Sequence, residues 1–180
     1  MHLSECPAGP PQGAAAELHE QVSQAFLDWR EDVYRYLLTL GLHSPQAQDA
    51  TQEVFLRLYV ALCKNEEAIL NRRAWVFRVA HNLGLTLRTR ETVLRPFDPE
   101  LEATLRDQGS DPESDLMERE KLQRMHRAVE SLSSQQRQCL YLRAEGLRYH
   151  EIADTLGITI STVSEFLKRA VIRLRKAVYE

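Results

Sequence analysis

Between residues 71 and 90 the chain carries Arg72, Arg73, Arg78, Arg88 and Arg90 with no acidic residue among them. Such a local excess of cations seeks phosphate. Trp75, Arg78 and Asn82 recur at i, i+3 and i+7, so a helix would present an aromatic plane, a guanidinium and a carboxamide on one face. Those three groups can stack an unpaired base, neutralise a phosphate and bond a base edge. Trp75 also fits the apolar stripe of the same helix. Pattern alone therefore leaves two readings of it, stacking platform and core residue.

A second set lies near the C-terminus. Ile152, Ala153 and Leu156 form one helical stripe, Gly157 supplies a tight turn, and Val163, Leu167, Ala170 and Leu174 form the next stripe. This is a helix-turn-helix pattern. Stepping 100° per residue from Val163 turns Ser161, Ser164, Glu165, Lys168, Arg169 and Ile172 away from the core. Small polar groups with two cations on the outer face of the second helix suit the major groove of DNA. The competing reading is a solvated face on a structural hairpin.

Enzymatic chemistry finds no foothold. His2, His19, His43, His81, His126 and His150 are scattered, and the chain holds no HExxH, GxSxG, P-loop or GxGxxG. No catalytic residue, metal site or cofactor is expected. Cys6, Cys63 and Cys139 are odd in number and far apart, which offers neither a disulfide framework nor a metal pair and fits a reducing compartment. Cys139 falls on the apolar side of its helix and reads as a small hydrophobe. The first residues lack a basic segment followed by an apolar run, and no stretch approaches the roughly 18 apolar residues of a membrane span. A cytoplasmic location is expected. The net charge of −3 excludes a generally DNA-coating protein and leaves local basic faces to do any binding.

These groups need helices to position them. Residues 1–15 hold Pro7, Gly9, Pro10, Pro11 and Gly13, which predicts a disordered tail. Val22, Phe26, Trp29, Val33, Tyr36, Leu37 and Leu40 recur at three and four, predicting a first helix over 17–40 that stops at Gly41. Ser44-Pro45 reads as an N-cap with Pro at the first helical position, opening a second helix to about residue 64 with Ala50, Val54, Leu58, Ala61 and Leu62 inward. After a polar break at 65–71, Trp75, Val79, Leu83 and Leu87 predict a third helix ending near Arg90. Residues 91–120 then carry ten acids against three arginines, with Pro96, Pro99 and Gly109 as breakers. A flexible acidic linker is expected over 92–110. Asp111-Pro112 restarts helix with Leu122, Met125, Val129 and Leu132 inward, and Ser133 with Gln136 forms a capping box for a helix that stops at Gly146. The expected fold is all-α: a tail (1–15), a three-helix bundle (16–91), the linker (92–110) and a helix-turn-helix domain (111–180).

Two motifs carry a family resemblance. Asp49-Ala50-Thr51-Gln52-Glu53-Val54-Phe55 and Ala74-Trp75-Val76-Phe77-Arg78-Val79-Ala80-His81-Asn82 together resemble region 2 of bacterial RNA polymerase sigma factors of the extracytoplasmic-function group. The helix-turn-helix and the helix before it resemble their region 4, in the same order and across a similar acidic linker. The resemblance implies a sigma factor that binds RNA polymerase core and directs promoter recognition and transcription initiation. By it Asp49, Gln52, Glu53 and Phe55 dock on the clamp helices of the largest polymerase subunit. Arg72, Arg73, Trp75, Phe77, Arg78 and Asn82 capture the unpaired strand of the minus-ten element. Ser161, Thr162, Ser164, Glu165, Lys168 and Arg169 read the minus-thirty-five element. The partners implied are polymerase core, promoter DNA and an anti-sigma protein clasping both domains, with no insertion into a membrane. Ser164-Glu165-Phe166 departs from the basic run that members often carry there, so the promoter sequence does not transfer. The turn Ala144-Glu145-Gly146-Leu147 resembles LuxR-type regulators, which keeps open a self-sufficient helix-turn-helix regulator, and a sigma mimic that no longer reads DNA stands beside it.

Overall fold

Three helices in the first half bury their apolar stripes against one another. The computed structural model describes residues 12–64, 69–94 and 116–179, and among these it holds seven α-helices and no strand. The first three are α1 (Gln12–Thr39), α2 (Ser44–Lys64) and α3 (Arg72–Leu94). Helix α1 begins inside the expected tail, because Gln12 and the run from Gly13 to Ala16 follow the last proline and alanine is the strongest helix former. Residues 1–11 of that tail lie outside the described residues. Helix α2 starts with Ser44 as its first helical residue, one later than an N-cap. The His43 carbonyl accepts the first bond from the Ala47 N–H at 2.8 Å, while the Tyr34 hydroxyl donates to Ser44 Oγ at 3.0 Å. Val33, Tyr36 and Leu37 of α1, with Leu40 just beyond it, close over Val54, Leu58 and Leu62 of α2 and Val76, Phe77 and Ala80 of α3, all essentially without access to water.

Helix α3 differs from the four-residue stripe expected for it. Trp75, Val79, Leu83 and Leu87 are half-buried, and the deepest residues are Val76, Phe77 and Ala80. The reason is that α3 is covered on two sides, by α1 and α2 on one and by the C-terminal half on the other. It also runs to Leu94, so the first three residues of the expected linker are helical. Residues 65–68 of the expected break, and 95–115 of the linker and the helix restart, lie outside the described residues.

The second half comprises α4 (Leu116–Glu130), α5 (Ser134–Ala144), α6 (Tyr149–Leu156) and α7 (Ile160–Tyr179). Ser133 forms the expected capping box: its hydroxyl accepts from the Gln136 N–H and its own N–H donates to the Gln136 side chain, each at 3.2 Å. Gly157 ends α6 at φ 65, a left-handed conformation that glycine adopts at no steric cost, and this sets α7 across α6. Leu142, Leu147, Ile152, Val163, Leu167 and Ala170 fill the space between α5, α6 and α7.

The two halves are packed together. Helix α5 lies against α1 and α6 against α3, and Cys139, Leu142, Leu147 and Ile152 join one continuous core with Val76 and Phe77. The ring of Tyr141 sits 5.4 Å from that of Tyr36 and 6.5 Å from that of Phe77, and its hydroxyl donates to the Asp32 carbonyl at 2.8 Å.

Candidate nucleic-acid and protein interfaces

On α7 the core stripe points inward and a polar face points out. Ser161, Ser164, Glu165, Lys168 and Arg169 are exposed, as is the apolar Ile172, and Thr162 is half-buried. Thr159 caps this helix. Its Oγ1 accepts the Thr162 N–H at 3.2 Å and lies 2.8 Å from the hydroxyls of both Ser161 and Thr162. Those two hydroxyls are therefore held in a local network at the helix start, and Ser164 is the neighbouring hydroxyl outside it. Glu165 and Arg169 form an i, i+4 ion pair on the outer face. The pair presents a guanidinium whose direction is set by a carboxylate one turn away. Arg173 reaches back to the Ser131 carbonyl at 2.7 Å and ties α7 to the end of α4.

On α3 the six residues expected to meet single-stranded DNA do not share one open face. Arg78 and Asn82 are exposed, one turn apart. Trp75 is half-buried, with its ring packed on the core. Phe77 is fully buried, edge-on to Tyr36 at 5.6 Å and 80°. This corrects its expected role as a contact: in this arrangement it is a core residue, because it lies where α1, α3 and α5 meet. Arg72 donates to Gln21 Oε1 at 2.7 Å. Arg73 is half-buried. Its guanidinium lies over the rings of Trp29 and Phe77, at 5.7 and 5.8 Å, and Nη2 donates to Asp32 Oδ2 at 2.9 Å and to the Glu145 carboxylate. Its Nε is buried without a hydrogen-bond partner. Arg88 donates to the Leu40 carbonyl at 3.3 Å and belongs to the packing of α3 on α1.

On α2, Asp49 and Gln52 are exposed, and Glu53 is half-buried with its carboxylate accepting from Arg57 Nε at 2.7 Å. Phe55 is 4% exposed and stacks edge-on against Phe26 at 5.1 Å, which removes it from direct contact and makes it the floor of a groove between α1 and α2. Phe26, Leu27, Leu56 and Tyr59 line that groove. Leu27, Leu56 and Val60 are 64%, 58% and 44% exposed, and Leu56 and Val60 stand one turn apart on α2. Sequence reasoning passed over these three. The available signal was that they are apolar residues lying off the core stripes of α1 and α2.

Two buried polar groups sit behind these faces. The Tyr36 hydroxyl meets His81 Nδ1 at 2.9 Å; burial raises the phenol far above its ordinary value and lowers the imidazole below its own. Burial also pushes the Cys139 thiol up to about 11, which keeps it protonated and inert. Among the described residues no group of histidines, cysteines and carboxylates could hold a metal ion, and no helix is long and apolar enough to cross a membrane.

Comparison with known proteins finds two family matches in one chain: Sigma-70 region 2 over residues 25–92 and Sigma-70, region 4 over residues 122–174. Among curated relatives, the ECF RNA polymerase sigma factor SigK of Mycolicibacterium vanbaalenii is 24% identical over 165 residues, 89% of this chain and 84% of that protein. The RNA polymerase sigma factor YlaC of Bacillus subtilis is 25% identical over 164 residues, 87% of this chain and 91% of that protein. Among solved structures, the sigma factor RpoE of Bartonella quintana, crystallised with the anti-sigma factor NepR, shares the fold at a TM-score of 0.61 and 21% identity, over 88% of this chain and 97% of that one.

Proposed function

The chain belongs to the extracytoplasmic-function group of the sigma-70 family, and from that premise we propose how its surfaces divide the work. As a sigma factor it binds RNA polymerase core and directs promoter recognition and transcription initiation. The LuxR-like regulator and the sigma mimic are not favoured, since region 2 and region 4 both match in one chain.

In this reading residues 16–91 form the unit that binds core and the minus-ten strand, and residues 111–180 form the unit that reads the minus-thirty-five element. Core docks along α2, through Asp49, Gln52 and Glu53 and through the apolar stripe that continues them, Leu56 and Val60. Spacing supports this, because positions 49, 52, 56 and 60 fall on one helix face and all four are exposed. The exposed apolar stripe is the observation that carries the assignment: its burial against a partner helix is favourable, and nothing within the described chain covers it. Arg78 and Asn82, with Trp75 beside them, supply the strand-binding face of α3. Ser164, Glu165, Lys168 and Arg169 of α7 enter the major groove. The protein works where polymerase works, in the cytoplasm, as a regulatory subunit and not as a catalyst. An anti-sigma protein is its proposed inhibitor, supported by the structural relative crystallised with one.

Purified protein added to sigma-free core is expected to yield promoter-specific transcripts. Gln52→Ala with Leu56→Ala is expected to weaken co-purification with core several-fold while leaving the circular dichroism spectrum intact. Unchanged co-purification would sink the α2 assignment.

A further inference from the structure

The face of α3 that carries Arg78 and Asn82 does not end with them. At 100° per residue Trp75, Arg78, Asn82, Leu85, Thr86 and Thr89 fall within about 100° of the helix circumference, on a stripe about 21 Å long. All but Trp75 are exposed, Leu85 by 40%. A lone exposed leucine is ordinary on a protein surface. This one continues a stripe whose chemistry is sorted along the helix. Thr86 Oγ1 donates to the Asn82 carbonyl at 2.8 Å and Thr89 Oγ1 to the Leu85 carbonyl at 2.9 Å, so each threonine has spent its side-chain proton on its own helix. Hydrogen-bond donors therefore sit toward the Arg78 and Asn82 end, and Leu85 with the threonine methyls makes the other end apolar.

Among the four DNA bases thymine alone carries a methyl group, on C5, beside its O4 acceptor. We infer that Leu85, flanked by Thr86 and Thr89, is a thymine-selecting contact: the Asn82 amide donates to O4 while the 5-methyl rests on Leu85. The inference rests on the reading of α3 as the strand-binding helix and adds which base the captured strand must offer. Asn82 and Leu85 are three positions apart, with Cβ atoms about 5–6 Å from one another, a gap that one pyrimidine edge bridges. Asn82 by itself does not tell thymine from cytosine, because its amide can turn to meet either O4 or an N4 amino group. The methyl contact is what Leu85 adds. Two observations favour a base over an apolar protein partner. Residues 71–90 hold five arginines and no acid, which suits a polyanion. Among the described residues Leu85 is also the one large apolar side chain exposed on α3, a contact the width of a methyl group and too small to seat a partner helix.

The test uses the full chain assembled with core. Selection from a randomised promoter library gives the preferred minus-ten strand, and each of its thymines is then replaced singly by deoxyuridine, which removes only the methyl. Binding of the fluorescent promoter should weaken about three- to fourfold for at least one replacement, the worth of one buried methyl group. Leu85→Ala, at an exposed position and with its circular dichroism spectrum unchanged, should bind thymine and deoxyuridine equally there. A selected strand without thymine, no loss at any thymine, or a thymine preference that survives Leu85→Ala overturns the inference. Arg78→Ala with Asn82→Ala tests the α3 reading by itself. Unchanged affinity in that variant sinks the reading and the inference with it, whereas weakened binding beside a thymine preference indifferent to Leu85 sinks the inference alone.

Discussion

Tyr36 and His81 show how a single buried pair couples this fold to pH. With the phenol pushed up and the imidazole pushed down, the pair is neutral, and one proton is shared between the Tyr36 hydroxyl and His81 Nδ1. His81 has a folded pKa below its unfolded value of 6.5, so on acidification the unfolded chain takes up the proton first. Its contribution to stability is full above that value and declines as pH falls below it. The urea midpoint should therefore drop between about pH 7 and about pH 5, with a shallower drop in His81→Gln. The same slope in both proteins would assign the effect to carboxylates. Tyr36→Phe leaves Nδ1 buried and unpaired, at a cost of about 1–3 kcal/mol. Chemical denaturation should show a lower midpoint at unchanged m-value.

At the scale of elements, the closeness of α3 to α1 depends on one missing side chain. A Cβ at Gly84 would stand 2.7 Å from Leu40 Cδ1 and 3.2 Å from Leu37 Cδ2, and both leucines are buried. Alanine would gain about 1 kcal/mol in helix propensity. Overpacking costs about 1–3 kcal/mol. The clash should win, so Gly84→Ala is expected to lower the thermal midpoint, and a higher midpoint would mean that Leu40 swings aside freely. Helix α7 raises a different question, because Glu165 is engaged by Arg169 before any DNA arrives. Arg169→Ala should lose about 1–3 kcal/mol wherever the guanidinium makes a bidentate base contact. Glu165→Ala should broaden the preference at one base pair, since an untethered Arg169 reaches more than one acceptor. Selection from a randomised promoter library reads both effects. Identical motifs for wild type and Glu165→Ala would reduce Glu165 to a tether without a part in specificity.

For the whole molecule, the charge balance works against binding DNA alone. The net charge of −3 opposes long-range attraction to DNA, and the basic residues of α7 and α3 form two small faces on separate helices. Duplex promoter alone should bind weakly at physiological salt, with specific contact appearing once core is present. Fluorescence anisotropy of a labelled duplex, with and without core, measures this. Tight binding by the free protein would restore the self-sufficient regulator as the better reading.

The sequence by itself determined whatever depends on local periodicity and local chemistry. Helix α2, the capping box at Ser133, the turn at Gly157 and the outward set on α7 were all legible, because helical spacing and capping act within a few residues. So was the family, through the 49–55 and 74–82 motifs. Only the tertiary structure decided which face of α3 is free. A helix covered from one side advertises its buried stripe, whereas α3 is covered from two, so Phe77 passed for a contact and Trp75 could not be assigned. Likewise Phe55 became a groove floor once Phe26 of α1 was set against it, and Leu56 was left exposed in its place. The joining of Arg73 to Glu145 across 72 positions, and of Asn71 to Glu151 across 80, lay beyond any local pattern. Such pairings follow from where two separately folded surfaces meet, and no spacing rule along the chain encodes that.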